Sequence, residues 1–181
     1  MPKEEIIIKL IPVFRYYGYE GATVARLSEA TGLKKASLYH HFQGGKEQMA
    51  QAVLEYISDW SDRQIFAPLR SDEPAKKRIL TLTEGIAKFY ESGKAPCLLA
   101  VMSLGEADNL FHQQLEQSLK KWLDELSKVV EETGVEQKEA RLRAEEALMI
   151  IQGALVLVRV TNDTQPFKRA ISKFSSILLG D

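Results

Sequence analysis

The chain has 181 residues, a length that allows one or two domains with a buried core. Hydrophobic residues make up 45% and charged residues 27% of it, as in ordinary globular proteins, and the formal net charge of −1 means that any nucleic-acid binding must depend on a local basic cluster. A single cysteine excludes an intrachain disulfide, the N-terminus lacks a signal-peptide pattern, and the longest apolar run, residues 147–160, is too short to span a bilayer, so we expect a soluble cytoplasmic protein.

Helical periodicity dominates the chain, and it predicts an all-α fold of about nine helices. They are predicted, in chain order, at residues 3–17, at 24–31, in a short segment ending at 41, and at 46–67, 75–91, 96–104, 108–134, 137–161 and 166–179. Thr23 is expected to cap the second helix, Gly32 to end it, and Pro68 to stop the long fourth helix. This pattern predicts a small N-terminal domain at residues 1–45 and a larger helical domain at residues 46–181.

Residues 23–46 have the pattern of a helix-turn-helix, in which one helix braces a second helix that enters the DNA major groove. The tight turn needs a residue that tolerates positive φ, which Gly32 supplies, and the small Ser28 allows the two helices to approach closely. Four apolar side chains are expected to hold the unit on the first helix: Leu27, Leu33, Leu38 and Phe42. An ordinary helical hairpin with a solvated basic face has the same spacing, and this alternative remains open here.

The polar side chains of this segment are of the kinds that bind DNA. Five of them are expected to point outward: Lys34, Lys35, Ser37, Tyr39 and His40. Lysines there can release counterions from phosphates, and hydroxyls can contact phosphate oxygens or base edges. At the start of the fourth helix, Gly44 and Gly45 would let a phosphate approach the helix N-terminus, where Lys46 adds a positive charge.

The same segment closely resembles the DNA-binding domain of the TetR family of bacterial regulators. The matching pieces are Thr23, Gly32-Leu33, Ser37-Leu38-Tyr39, His41-Phe42 and Gly45-Lys46, and the run YHHFQGGKEQM further resembles the LmrA/YxaF-like branch, which regulates drug-efflux or detoxification genes. The resemblance implies an all-helical homodimer that represses transcription at a double-stranded DNA operator and dissociates when a small molecule binds. It also implies that Thr23, Tyr39, His40 and Lys46 contact phosphates. Three residues at the front of the recognition helix would then face the bases: Lys35, Ala36 and Ser37.

Two positions depart from the family pattern. Lys34 stands where members commonly have a serine or threonine cap, and its charge opposes the helix dipole. We infer that Lys34 is tolerated because it gains a phosphate contact. Ala36 replaces a frequent glycine, so the backbone there would lie slightly farther from the bases.

The C-terminal part of the chain is predicted to supply a dimer interface and a ligand pocket. Residues 147–160 are apolar around most of the helix, so this helix must be buried on more than one side. The family resemblance implies that residues 137–161 and 166–179 pair with their copies in a homodimer, although a monomeric core has the same pattern. A small apolar or aromatic effector would bind among aromatic and methionine side chains. The candidate ligand-binding residues are Trp60, Phe66, Phe89, Tyr90, Met102, Phe111, Trp122, Met149 and Gln152.

Other functional signals in the sequence are weaker. His40 and His41 are adjacent and would point in different directions on a helix, so we expect no metal site and no cofactor. Cys97 has apolar neighbours that give no reason for a reactive thiolate, and no catalytic constellation is found, so an enzyme is not expected. Two alternatives to a regulator remain: a ligand-binding helical protein whose DNA-binding head is vestigial, and a helical interaction module without a pocket.

Overall fold

The computed structural model describes residues 1–180, and over that range it contains helices and no strands. The nine α-helices of at least five residues are α1 (Lys3–Gly21), α2 (Val24–Thr31), α3 (Lys35–His41), α4 (Gly45–Ser61), α5 (Ala75–Phe89), α6 (Leu98–Met102), α7 (Glu106–Glu131), α8 (Gln137–Thr161) and α9 (Gln165–Leu179). The predicted all-α fold is confirmed. None of the described helices is both long enough and apolar enough to cross a membrane.

The helices form two compact units. The first consists of Met1–Asp59 and Leu98–Glu116, and the second of Trp60–Cys97 and the chain from Gln117 onward. Two helices, α4 and α7, begin in the first unit and end in the second. The sequence predicts a domain boundary after residue 45, which separates the DNA-binding residues from the rest of the chain. That functional boundary stays a prediction.

The first unit has an apolar core to which all six of its helices contribute. Its fully buried side chains include Leu10, Phe14, Leu27, Leu38, Phe42, Met49, Val53 and Met102. Helix α1 extends to Gly21 instead of ending near residue 17, but it is kinked at Gly18, whose φ is 68°. A Cβ at Gly18 would also lie 3.3 Å from Cγ1 of Val101, so this position favours glycine for two reasons. The kink gives the last turn of α1 a direction of its own.

The prediction that Pro68 stops the fourth helix is wrong. Helix α4 continues through a π-helical segment, Asp62–Phe66, into a last α-helical turn, Ala67–Leu69. Pro68 lies directly after the π-helical segment, in the turn Ala67–Leu69. The chain leaves the helix only at Arg70.

In the second unit, charged side chains surround the π-helical segment. The Asp62 carboxylate accepts hydrogen bonds from Nζ of Lys121 at 2.8 Å and from Nη2 of Arg70 at 3.0 Å. Arg70 also pairs with Glu125, with Nε 3.0 Å from Oε1. These hydrogen bonds lower the pKa of Asp62 and raise that of Arg70, the larger contribution to the latter coming from Glu125.

Helices α8 and α9 make the most extensive helix pair of the second unit. The predicted bounds of residues 137–161 agree with α8, because Glu136 caps its start by accepting from the amides of Lys138 and Glu139. Asn162 ends it in the left-handed conformation, with φ 55°. The buried residues of the pair include Ala140, Ala144, Ala147, Ile151, Phe167, Ala170, Phe174 and Leu178.

Candidate nucleic-acid interface

The turn between α2 and α3 has the geometry that the sequence predicts. Gly32 has φ 72° and ψ 9°, and its amide donates to the carbonyl of Ser28 at 2.9 Å. No atom lies within 4 Å of a Cβ built on Gly32, so the backbone conformation is the reason for glycine here. The hydroxyl of Thr31 donates to the Leu27 carbonyl at 2.7 Å and accepts from the Leu33 amide at 3.3 Å, which fixes the turn from the other side.

The cap predicted for α2 is also present. Oγ1 of Thr23 accepts a hydrogen bond from the amide of Arg26 at 3.3 Å. Arg26, which the sequence analysis did not single out, donates from Nη1 to the Gly21 carbonyl at 2.8 Å and lies 4.3 Å from the ring centroid of Tyr17. This arginine therefore joins the start of α2 to the end of α1.

Helix α3 has one buried face and one exposed face. Leu38 is fully buried in the core of the first unit, and it anchors the helix. The predicted DNA-contacting residues of this segment are all exposed: Lys34, Lys35, Ala36, Ser37, Tyr39 and His40. Lys34 occupies the N-cap position and makes no side-chain cap, as expected for a lysine. The exposed face therefore presents two ammonium groups and two hydroxyls, while Leu38 anchors the opposite face of the helix in the core.

Lys46 lies differently from the residues of α3. It is half-buried, its Nζ donates to the Tyr19 carbonyl at 3.0 Å, and it lies 4.0 Å from the centroid of the Tyr19 ring. The amide of Gly44 is engaged by Oε1 of Gln48 at 2.9 Å. Part of the predicted phosphate clamp is thus occupied by contacts within the protein, and its contact with DNA stays a prediction.

The end of α1 carries functional groups that sequence reasoning missed. Oε1 of Glu20 accepts from the Glu106 amide at 2.7 Å and thereby caps α7. The backbone amides of Glu20 itself, Glu106 and Ala107 lower the pKa of this carboxylate. The Tyr19 ring packs edge-on against Phe111, with 5.6 Å between centroids, and burial raises the pKa of its hydroxyl. No local pattern reveals these contacts, because the partners are more than eighty positions apart in the sequence.

Five of the nine candidate ligand-binding residues lie in the second unit as two aromatic groups. Trp60 stacks on Phe89 at 5.2 Å, and Phe89 meets the Tyr90 ring at 4.9 Å. Phe66 meets Trp122 edge-on at 4.9 Å. In the first group Trp60 and Phe89 are half-buried, so part of this stack is accessible to solvent.

The other four candidates lie elsewhere. Met102 and Phe111 belong to the core of the first unit. Met149 is 65% exposed on α8, and Gln152 is half-buried there. Cys97 is buried, and the Tyr90 hydroxyl lies 3.6 Å from its sulfur. The nine candidates thus belong to several groups in two units, and their roles in binding a ligand stay predictions.

The side of α8 that faces away from α9 carries an exposed apolar stripe. Its members are Leu142, Met149, Val156, Leu157 and Val160. Val156 is 62% and Val160 76% exposed, and a Cβ on Gly153 would meet nothing within 4 Å. Contiguous exposed apolar residues of this kind usually mark an interface.

The histidine, cysteine and acidic side chains of the described residues form no metal-binding cluster. No group of three or more histidine, cysteine, aspartate or glutamate side chains in residues 1–180 could hold a metal ion. His40 and His41 have ring centroids 5.8 Å apart and an interplanar angle of 72°, an arrangement of two neighbouring side chains and not a chelate.

Comparisons with known proteins agree with this geometry. Residues 11–53 match the family described as bacterial regulatory proteins, tetR family, and residues 74–173 match the C-terminal domain of LmrA/YxaF-like transcriptional regulators. The HTH-type transcriptional regulator LmrA of Bacillus subtilis is 23% identical, with 97% of this chain and 96% of that protein covered. The HTH-type transcriptional repressor AcnR of Corynebacterium jeikeium is 37% identical over 45% of this chain and 40% of that protein. A crystal structure of a TetR transcriptional regulator from Legionella pneumophila superposes with a TM-score of 0.83 at 21% identity, with 97% of this chain and 96% of that one covered.

Proposed function

The chain belongs to the TetR family of bacterial transcriptional regulators, in its LmrA/YxaF-like branch, and from this membership we propose that it is a repressor that a small apolar or aromatic molecule releases from its operator. A DNA-binding transcriptional regulator is what the family match establishes. The observation that carries the repressor proposal is the exposed polar face of α3, opposite the buried Leu38 and directly after the Gly32 turn. A repressor needs only to occupy its operator, and this face is suited to that.

We assign DNA contacts by the exposure and chemistry of each side chain. Lys35, Ala36 and Ser37 form the front of α3 and would face bases in the major groove. The proposed phosphate contacts come from Thr23, Lys34, Tyr39, His40 and Lys46. The ammonium of Lys46 has three N–H donors, and one of them bonds the Tyr19 carbonyl. Lys46 would contact phosphate through the remaining two.

A homodimer through α8 and α9 would cover the exposed stripe of α8. Burial of such side chains contributes roughly 25 cal/mol per Å² of apolar surface, which favours association. Two copies of α3 about 34–36 Å apart would then read a pseudopalindromic site in successive major grooves. The stripe, with Val156 and Val160 largely exposed in a single chain, supports this proposal.

The effector site is proposed at the half-buried stack of Trp60 and Phe89. Stacked, half-buried aromatic rings suit a flat apolar molecule. Trp60 belongs to α4, the helix that begins directly after the DNA-binding segment, so a ligand that displaces it would act on that helix. Control of efflux or detoxification genes is part of the same proposal.

The test is a gel-shift titration of the purified protein with DNA that flanks its own gene. We expect specific binding that weakens steeply between about 50 and about 200 mM salt, since phosphate contacts release counterions. Binding that is absent or insensitive to salt would contradict the proposal and favour a vestigial head or an interaction module. Aromatic dyes should raise the melting temperature and release the DNA. Failure of both effects would contradict the ligand-responsive part alone.

A further inference from the structure

Two acceptors at the end of α1 hold the first turns of two other helices. The carboxylate of Glu20 accepts from the Glu106 amide at 2.7 Å, at the start of α7. The carbonyl of Tyr19, one residue earlier, accepts from Nζ of Lys46 at 3.0 Å, at the start of α4. The lowered pKa of Glu20 agrees with a carboxylate that is hydrogen-bonded in its charged form.

The glycine before α7 lies close to the carboxylate of Glu20, which is an exposed residue. Gly105, directly before α7, has φ 63°, and a Cβ there would lie 2.5 Å from Oε1 of Glu20. The ring of Tyr19 packs against Phe111 one turn farther along α7. The end of α1 and the start of α7 are therefore fitted to each other by a hydrogen bond and by an aromatic contact.

The two helices held here are those that continue into the second unit. Among the described helices, α4 and α7 alone begin in the first unit and end in the second. The start of α4 is in turn tied to α3, because the Gly45 amide donates to the Phe42 carbonyl at 2.9 Å across a connection of three residues. The end of α1 is thus linked by hydrogen bonds to the start of α4, and the start of α4 to the segment that follows α3.

We propose that Glu20 is a positioning residue for DNA binding: its cap on α7 fixes the end of α1 on which Lys46 is seated, and thereby the start of α4 and the α3 helix before it. This role rests on the proposed function, and Glu20 itself touches no DNA. A helix cap corresponds to about a fivefold change in an equilibrium constant. We expect loss of the cap to raise the operator Kd by about three- to tenfold.

The sign of this effect separates positioning from simple electrostatics. Removing a carboxylate from a DNA-binding unit reduces repulsion from phosphates, so electrostatics alone predicts tighter binding. Glu20→Ala should instead bind the operator more weakly, with the wild-type dependence of log Kd on log salt, because no phosphate contact is lost. Glu20→Gln keeps an acceptor oxygen for the Glu106 amide and should restore binding to within about twofold. Glu29→Ala removes an exposed acid from α2 and serves as the charge-matched control, with equal or tighter binding expected.

The experiment measures operator Kd for these variants of the full chain by fluorescence anisotropy, with the active fraction of each fixed by stoichiometric titration. A double-mutant cycle tests the path. Because Glu20 acts through the seat of Lys46, Glu20→Ala should cost clearly less in a Lys46→Ala background, whereas Glu29→Ala should be additive with Lys46→Ala. If Glu20→Ala does not fold, Gly105→Ala provides a second route, since its methyl group displaces the carboxylate while Glu20 remains.

Equal or tighter operator binding by Glu20→Ala would overturn the positioning role. Additive effects of Glu20→Ala and Lys46→Ala on Kd would overturn it as well, and so would operator binding by Glu20→Gln that is as weak as that of Glu20→Ala. If Gly105→Ala is used, operator binding by that variant with the wild-type Kd would also overturn the positioning role. These outcomes do not contradict the proposed function, because specific operator binding by the wild-type chain is measured in the same experiment and tests it separately. A wild-type chain that shows no specific binding would refute both.

Discussion

The turn at Gly32 gives a sharp prediction of how one methyl group affects stability. Gly32 has φ 72° and ψ 9°, and an added Cβ would meet no atom within 4 Å. The cost of Gly32→Ala is therefore the left-handed backbone alone, about 1–2 kcal/mol in the free energy of unfolding. For a chain of this length each kcal/mol corresponds to roughly 2–4 °C, so the melting temperature should fall by about 2–8 °C. Chemical denaturation followed by circular dichroism at fixed protein concentration measures the difference.

Two further variants isolate the cause. Gly32→Asn should lose clearly less stability than Gly32→Ala, because asparagine enters the left-handed region more readily. Gly93→Ala should lose more, since Gly93 has φ 94° and its Cβ would lie 2.6 Å from Cβ of Phe167, which adds steric overlap to the backbone strain. If Gly32→Asn is as destabilising as Gly32→Ala, or if Gly32→Ala matches Gly93→Ala, backbone conformation is not what requires glycine at the turn.

Four more predictions concern DNA, the dimer and the effector. Lys46→Ala should weaken binding to all DNA sequences alike and lower the salt dependence by about one phosphate contact; an unchanged salt dependence in anisotropy titrations would argue against that contact. Ser37→Ala should change the bases preferred in a selection from random DNA, and an unaltered motif would exclude a base contact there. Val156→Asp should give monomers in analytical ultracentrifugation at concentrations where the wild type is dimeric, whereas Leu80→Asp, at an exposed leucine of α5, should not. Phe89→Ala should reduce the rise in melting temperature that aromatic dyes cause, and an equal rise would place the effector elsewhere.

The sequence was sufficient where local chemistry determines local structure. Thr23 caps α2 and Gly32 ends it because a hydroxyl and a missing side chain act within a few residues of themselves. The bounds of α8 follow from its caps in the same way. The exposed face of α3 was predictable because a single apolar residue, Leu38, anchors a short polar helix.

Sequence reasoning failed where the answer depends on distant partners. Pro68 is a good local reason to stop a helix, but a π-helical segment before it allows the chain to continue to Leu69. Met102 and Phe111 were candidate ligand-binding residues because of their residue type, which does not indicate the unit they belong to, and they lie in the core of the first unit. The cap that Glu20 places on α7 could not be found at all, since neither residue type nor spacing indicates a partner so distant in the chain.

The π-helical segment Asp62–Phe66 also determines how the chain responds to a change in its length. The Ala67 amide donates to the Asp62 carbonyl five residues back, so this turn holds one residue more than an α-helical turn does. Deleting a single residue here would convert the π-helical turn into an α-helical turn. The side chains before and after the deletion would then keep their orientation about the helix axis. The same deletion in the middle of α7 would rotate every later side chain by about 100° and turn its apolar stripe away from the core. Among these long helices, the π-helical segment is therefore where the deletion of one residue disturbs the packing of the helix least.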